Sequence, residues 1–197
     1  MGVHNPAVVV EPATEARFDD LAAVLGPKNP QATVCWCLSH RLPAAENRSL
    51  TGPARGDRVR ELTRQDVAPG VLAYVDGQVA GWAATAPRRQ LPYSRSRKIP
   101  QVDDLDVWVV WCVRVQPGHR RQGLAVTLVR GAADYAFSQG APAVEGYPVD
   151  NGTERVDLTM AYVGTRTIFE RAGFHKAMDT QSVSGGFPRV LMRRDPG

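Results

Sequence analysis

The stretch VRVQPGHRRQGLA at residues 113–125 decides the fold. It begins at the end of an apolar, β-branched run, residues 107–115, which predicts a strand. A Pro-Gly turn follows, and after it small and apolar residues recur at three- and four-residue steps. That period predicts a helix over about residues 122–139 that buries one face. The stretch therefore joins a strand to a helix through a short basic loop.

The start of this helix is an expected anion site. The first turn of a helix leaves backbone N–H groups unpaired and carries a partial positive charge. Arg120 and Arg121 place two cations at that end, and Gly123 lets an anion approach the backbone closely. The alternative is a solvated basic turn in which Gly123 only permits close packing of the helix on the strand.

The pattern RxxGxA at residues 120–125 resembles the pyrophosphate-binding signature of the GNAT (GCN5-related) N-acetyltransferases. Two further segments are similar to that family and follow in the family's order. Residues 69–82 look like its β2–β3 hairpin, and residues 168–174, IFERAGF, look like the end of its last helix. Together the resemblance covers roughly residues 69–192.

The resemblance implies an α/β fold with a central mixed β-sheet, splayed fourth and fifth strands, and flanking helices. Without it, the residues predict only an α/β protein with a mixed sheet. A chain of 197 residues is long enough for one well-packed domain and short for two, so residues 1–197 are expected to form a single GNAT-like domain.

Residue patterns predict the individual elements, although residues 29–53 give no clear signal. Residues 87–105 form a long polar connection, which is either a lid over a substrate or a disordered insertion. The predicted strands are 7–11, 71–75, 78–86, 106–115 and 143–149, with a final pair within 174–193, and the predicted helices are 14–25, 56–66, 122–139 and 162–171.

The resemblance implies acetyl-CoA as the co-substrate. In the family the pantetheine arm lies between the splayed strands, where the backbone of Val113 to Val115 would pair with it like an added strand. The loop amides would hold the pyrophosphate. The expected cofactor-binding residues are Val113, Val115, Arg120, Arg121, Gln122, Gly123, Leu124 and Ala125.

Acetyl transfer to an amine needs a base for the ammonium group and benefits from an acid for the departing thiolate. Many relatives carry the base as a carboxylate on strand four, but residues 107–115 contain no Asp or Glu. Glu145 on the adjacent strand is the predicted substitute, and its alternative role is a salt-bridged surface residue. Asp106 is a weaker candidate for the base.

The family's usual acid is a Tyr at the position that Phe169 occupies here, and a phenyl ring cannot donate a proton. Tyr147 and Tyr162 are the candidate replacements. Tyr147 shares a strand face with Glu145 at period two, and Tyr162 begins the predicted last helix. Each tyrosine is alternatively a packed aromatic residue with a satisfied hydroxyl group.

The segment CWCLSH at residues 35–40 has a composition that invites a metal assignment. Structural zinc normally takes four Cys or His ligands, and a Cys-x-Cys spacing suits a tetrahedral site poorly, so no metal is expected. In GNAT proteins the chain between the first two helices often shapes the acceptor pocket, so Trp36 is the predicted acceptor contact. Three cysteines without a secretory signal predict reduced thiols and a cytoplasmic location.

The sequence thus predicts an acetyl-CoA-dependent N-acetyltransferase whose small-molecule or peptide amine attacks the thioester directly. The alternative is a GNAT-like acyl-CoA sensor or interaction module without turnover. A net charge of +4 suits an anionic cofactor, and no nucleic-acid-binding motif accompanies the basic residues of the segment 88–98. No run of about 18 apolar residues predicts a membrane span. A homodimer is left open.

Overall fold

Seven strands form one mixed β-sheet in the computed structural model, which describes residues 7–33, 35–92, 98–157 and 162–197. The strands are β1 (Val8–Pro12), β2 (Gly70–Val75), β3 (Gln78–Pro87), β4 (Trp108–Val115), β5 (Val144–Gly146), β6 (His175–Ser184) and β7 (Phe187–Arg194). Their order across the sheet is β1-β2-β3-β4-β5-β7-β6. The β4–β5 pair is parallel and the other five neighbouring pairs are antiparallel.

Helices cover both faces of the sheet. They are α1 (Phe18–Leu25), α2 (Ala44–Ser49), α3 (Pro53–Thr63), α4 (Leu124–Ser138) and α5 (Arg166–Arg171). One core cluster joins α1 and α3 to the first face, and a second joins α4 and α5 to the opposite face. Each central strand is therefore apolar on both sides, as expected for a covered sheet. The predicted α/β fold with a mixed sheet is confirmed.

The predicted splay between β4 and β5 is present. The two strands pair over three positions, of which the last is Val110 with Gly146. β4 continues to Val115, whereas the chain after Gly146 turns toward β7, where Val149 forms an isolated bridge with Arg189. The predicted fifth strand, residues 143–149, is therefore shorter in the structure because its second half leaves β4.

A β-bulge lies in β4 where the splay opens. Trp82 of β3 faces Arg114, but Ala84 faces Trp111, so β4 carries one residue more than β3 between these two pairs. Cys112 within the bulge has a φ of 51°, in the left-handed region. Bulges turn a strand and leave a residue outside the regular ladder. Here the bulge directs part of the β4 backbone toward the gap left by β5.

Residues 29–53, which gave no clear signal, contain α2 and a left-handed run at Cys35, Trp36 and Cys37. Arg55, at the start of α3, is only 1% exposed and organises this segment. Its guanidinium donates to the backbone oxygens of Cys35 (3.0 Å), Asn47 (2.8 Å) and Leu50 (3.0 Å). A buried arginine just beyond the segment thus fixes it through contacts 5 to 20 residues away, which are not part of a helical or strand period.

The connection between β3 and β4 is anchored where the structure describes it. Leu91 and Ile99 are buried, and the Arg88 guanidinium donates to the backbone oxygen of Pro100 at 3.1 Å. The described parts therefore do not form a disordered insertion. Residues 93–97, which include two of the basic residues in the segment 88–98, lie outside the described residues. No described helix is long and apolar enough to cross a membrane.

The expectation of three reduced thiols is wrong for two of them. Cys37 and Cys112 form a disulfide with a sequence separation of 75 residues, and Cys35 is free and exposed. The fold brings the loop before α2 against the β4 bulge, which residue spacing could not predict. The bond ties that loop to the strand at the splay.

Thiol counting under denaturing conditions tests the disulfide. Because one of the three cysteines is free, iodoacetamide should label one thiol, Cys35, in unreduced protein and all three after reduction. Peptide mass spectrometry reads the labelled positions. Labelling of all three cysteines without reductant, in protein purified in air, would contradict the pairing.

Candidate active site

The loop between β4 and α4 presents the expected anion site to solvent. Residues 120–123 are exposed, and α4 begins directly after them at Leu124. The first helical bonds run from the amides of Val126 (2.9 Å) and Thr127 (3.3 Å) to the oxygen of Gly123. The amides that precede these bonds therefore point out of the helix end, where the helix dipole favours an anion.

Gly123 fits a close approach by a ligand. It is the N-cap of α4 with a φ of 79°, a conformation that side chains disfavour. A Cβ placed on it would meet no atom of the described residues within 4 Å. Gly123 is therefore not required for packing of the helix on the strand. The alternative interpretation, in which Gly123 only permits that packing, is not supported by this geometry.

The loop side chains are weakly held. Arg120 Nε donates to the oxygen of Val115 over a long 3.4 Å, and Gln122 Nε2 donates to the oxygen of Gly118 at 3.3 Å. Arg121 adopts a left-handed φ of 62°. The two guanidinium groups and the open helix end thus lie on one exposed loop, an arrangement that suits a diphosphate.

Tyr162 lies across the open edge of β4, just beyond the bulge. Its backbone oxygen accepts a 2.7 Å hydrogen bond from the Val113 amide, and its hydroxyl group lies 3.0 Å from His40 Nε2. The side chain is 38% exposed. The predicted last helix begins at Arg166 rather than at Tyr162, so Tyr162 precedes it in a turn. The Val113 amide, predicted to pair with the cofactor, is engaged by Tyr162 in this structure.

His40 is a residue of this site that sequence reasoning considered only as a metal ligand. Its ring lies 6.1 Å from that of Trp111 on β4 and 5.6 Å from that of Tyr162. Burial, and secondarily the positive charge of Arg189, lower the pKa of His40 to about 4. The imidazole is therefore neutral at physiological pH. No local motif marks His40, because its partners come from distant parts of the chain.

Glu145 lies in a buried ion cluster at the root of the splay. Its side chain is 1% exposed, and one oxygen accepts from Tyr147 Oη at 2.9 Å and from Arg88 at 3.3 Å. The other oxygen faces Arg193 at 3.6 Å. Tyr147 is itself 2% exposed. The predicted shared face of Glu145 and Tyr147 is present, and both polar groups are engaged with each other.

Two opposing effects act on the pKa of Glu145. Burial raises the pKa, and the Tyr147 hydroxyl and two guanidinium groups oppose that rise. A base must also reach the amine, whereas this carboxylate is enclosed by Arg88 and Arg193. The general-base role stays a prediction, and the geometry favours the salt-bridged alternative, in a buried rather than a surface position. Asp106, the weaker candidate, pairs with Arg89.

Phe169 occupies a buried position against β5. It is 0% exposed, and a Cβ on Gly146 would lie 2.1 Å from its ring, so the ring packs directly on that glycine. A Cβ on Gly164 would similarly lie 2.9 Å from the Phe169 ring. The ring fills the space between α5 and the sheet, where a phenyl group satisfies the packing without a polar partner.

Trp36 packs on helices rather than at the splay. Its ring stacks on Phe18 at 6.2 Å and lies against Gly56, and it lines an apolar groove of about 320 Å³ with residues of α1 and α3. Its predicted role as an acceptor contact stays a prediction. A second groove of about 400 Å³, between β1 and α4, includes none of the predicted site residues. Within the described ranges, no group of three His, Cys, Asp or Glu residues could hold a metal.

Comparison with known proteins identifies the family. The model of the acetyltransferase (GNAT) family matches residues 40–154, more than half of the chain. The chain therefore belongs to the GNAT acetyltransferase family, as the resemblance of the loop, the hairpin and the last helix implied. No curated protein gives a significant match to the chain.

Solved structures share the fold at low identity. An aminoglycoside acetyltransferase, AAC(6')-Ib in complex with coenzyme A, is 14% identical with a TM-score of 0.56, over 96% of this chain and 95% of that chain. A GNAT-family acetyltransferase from Bacillus cereus ATCC 10987 is 12% identical with a TM-score of 0.54, over 96% and 97%. At such identity, these neighbours establish the fold alone.

Replacement of Glu145 by Gln separates its two candidate roles. A buried arginine pair without its carboxylate is destabilising, and E145Q should lower the free energy of unfolding in urea by roughly 3 kcal/mol. The matched control is E170Q, which breaks an exposed pair with Arg166 and should leave the free energy of unfolding nearly unchanged. An E145Q protein of unchanged stability, whose kcat falls tenfold and recovers at high pH, would instead establish Glu145 as the base.

Proposed function

We propose that this protein transfers an acetyl group from acetyl-CoA directly to a primary amine. The observation that carries the proposal is that the gap between β4 and β5 leads directly to the anion site at the start of α4. β4 runs from its last pairing with β5 at Val110 to Val115, and the exposed loop with Gly123 follows directly. An extended ligand with a diphosphate at one end and a thioester at the other would follow this path.

Structural neighbours support the choice of ligand. AAC(6')-Ib is described in complex with coenzyme A, and also with paromomycin and acetyl-CoA in a structure with a TM-score of 0.55. These neighbours share the fold over nearly the whole chain, and the loop of residues 120–125 matches the family's diphosphate signature in this chain. The proposed cofactor contacts are the loop amides and both arginines on the diphosphate and the backbone at Val115 along the arm, whereas the Val113 amide already bonds to Tyr162.

The proposed chemistry uses Tyr162 as the acid. A neutral amine attacks the thioester carbon, and the departing thiolate accepts a proton from the Tyr162 hydroxyl group, which is exposed beside β4. Tyr147 is less suited to this role because its hydroxyl group donates to Glu145 in the interior. If no side chain acts as the base, the neutral fraction of the amine controls the rate, and the rate should rise with pH toward the amine's own pKa.

The acceptor is proposed to be a small molecule or a peptide amine, and its identity needs a screen. One sheet extends from Val8 to Arg194, which supports a single domain for residues 1–197. The second candidate function, acyl-CoA binding without turnover, is favoured by one observation: the carboxylate of Glu145 is enclosed. Acetylation of any amine in a panel with saturation kinetics would exclude it.

Isothermal titration of acetyl-CoA into wild type and G123E tests the proposed cofactor site. Wild type should bind with a Kd in the micromolar range, and G123E should show no binding at millimolar ligand, because it places bulk and negative charge where the diphosphate would lie. Binding to G123E within threefold of wild type would show that the loop is not the site.

G140E is the matched control for G123E. Gly140 lies beyond the other end of α4 with a φ of 83°, and a Cβ there also meets no described atom within 4 Å. Both substitutions therefore impose the same backbone strain and the same charge. G140E should bind acetyl-CoA within twofold of wild type, and an equal loss in both variants would attribute the effect to strain.

A further inference from the structure

His40 is held rigidly beside the open edge of β4. The disulfide between Cys37 and Cys112 tethers the chain three residues before it. Immediately after it, the Arg41 guanidinium donates to the backbone oxygens of Pro69 and Thr85 (3.0 Å for Thr85). Tethers on both sides in sequence hold the backbone at His40 beside β4, so its side chain projects from a restrained part of the chain toward Tyr162.

Rings on two sides further restrict His40. Trp111, which is 2% exposed, lies 6.1 Å away between ring centroids, and the Arg41 guanidinium covers the Trp111 ring at 4.9 Å. Tyr162 lies on the other side, with 3.0 Å between its hydroxyl oxygen and His40 Nε2. Burial, and secondarily the positive charge of Arg189, disfavour an imidazolium ion and lower the pKa of His40. A neutral imidazole has one N–H donor and one acceptor nitrogen.

The direction of this hydrogen bond decides what Tyr162 can do. A phenol has one proton and accepts through its oxygen. If Tyr162 donated to His40, its proton would be engaged and turned away from the cofactor. If His40 Nε2–H donates instead, the hydroxyl proton is available to a thiolate, and the phenolate that forms is stabilised by a donor already in place.

We propose that His40 is the positioning residue for Tyr162: its Nε2–H donates to the phenolic oxygen and turns the hydroxyl proton toward the thioester sulfur. The proposal rests on the proposed acetyl transfer. In that step the C–N bond forms, the C–S bond breaks with its electron pair on sulfur, and sulfur takes the Tyr162 proton. The proton lost by the acetylated nitrogen returns through water to the Tyr162 oxygen, so His40 stays neutral throughout.

A double-mutant cycle tests whether His40 acts through Tyr162. Y162F should lower kcat at least about tenfold, within the range for loss of a general acid, and H40F should lower it about tenfold. Because both losses in kcat concern the same proton, the kcat of H40F/Y162F should be no more than twofold below the kcat of Y162F. The Kd of acetyl-CoA should stay within twofold throughout. Additive losses in the double variant, or an unchanged kcat in H40F, would overturn the proposal.

Two further variants separate positioning from structure. In H40Q the side-chain amide can still donate a hydrogen bond, so it should recover most of the activity that H40F loses. H175F removes an exposed imidazole at the start of β6 and should match wild type in kcat. Equal losses in H40Q and H40F, with a lower melting temperature in both, would identify a purely structural histidine and overturn the proposal.

Nitrogen-15 NMR of the imidazole groups provides a readout that needs no turnover. The His40 signal should be that of the neutral Nε2–H tautomer at pH 7, and Y162F should shift it, whereas Y135F, which removes a phenol bonded to the Ala68 amide, should not. An Nδ1–H tautomer, or no response to Y162F, would overturn the proposal. Failure of wild type to acetylate any amine would count against the proposed function. The His40 tautomer would still show whether His40 Nε2–H donates to the Tyr162 oxygen.

Discussion

The parallel pairing of β4 with β5, and its end after three positions, is the constraint on which the candidate site depends. Two local features end it. The bulge at Cys112 turns β4, and Pro148, just beyond β5, has no N–H group to continue a ladder. The chain after β5 bonds to β7 instead, through Arg189 Nε and the oxygen of Tyr147 at 2.7 Å. The backbone geometry of β4 and β5 therefore creates the gap beside β4, and side chains only line it.

A buried ion cluster centred on Glu145 lies where the gap begins. Glu145 pairs in register with Val109 and collects Arg88 from the end of β3 and Arg193 from β7. The segment after β3, strand β5 and strand β7 thus meet at one carboxylate. A buried ion cluster adds little net stability relative to apolar packing, but removal of one partner is costly. Its contribution is therefore to fix the geometry at the start of the splay, whereas Tyr162 lies outside the cluster, beside His40.

The strand, loop and helix predicted around residues 113–125 are present as β4, an exposed loop and α4, because hydrophobic period and turn residues are local signals that the structure preserves. The segment of residues 29–53 could not be predicted, because a disulfide to residue 112 and the side chain of the buried Arg55 shape it instead of a local hydrophobic period. The same cause concealed His40, which acquires its partner only through the tertiary fold. The sequence predicted the face that Glu145 shares with Tyr147, but not the enclosure of Glu145, since the two arginines come from segments distant in sequence.

Hydrogen–deuterium exchange with and without acetyl-CoA tests the central claim, that the gap beside β4 and the start of α4 form one cofactor path. The account predicts that saturating acetyl-CoA slows exchange at the amides of residues 121–125 and at Val115, with no change in β1 or β6 at the sheet edges. Protection at the groove between β1 and α4, with exchange at residues 121–125 unchanged, would contradict it.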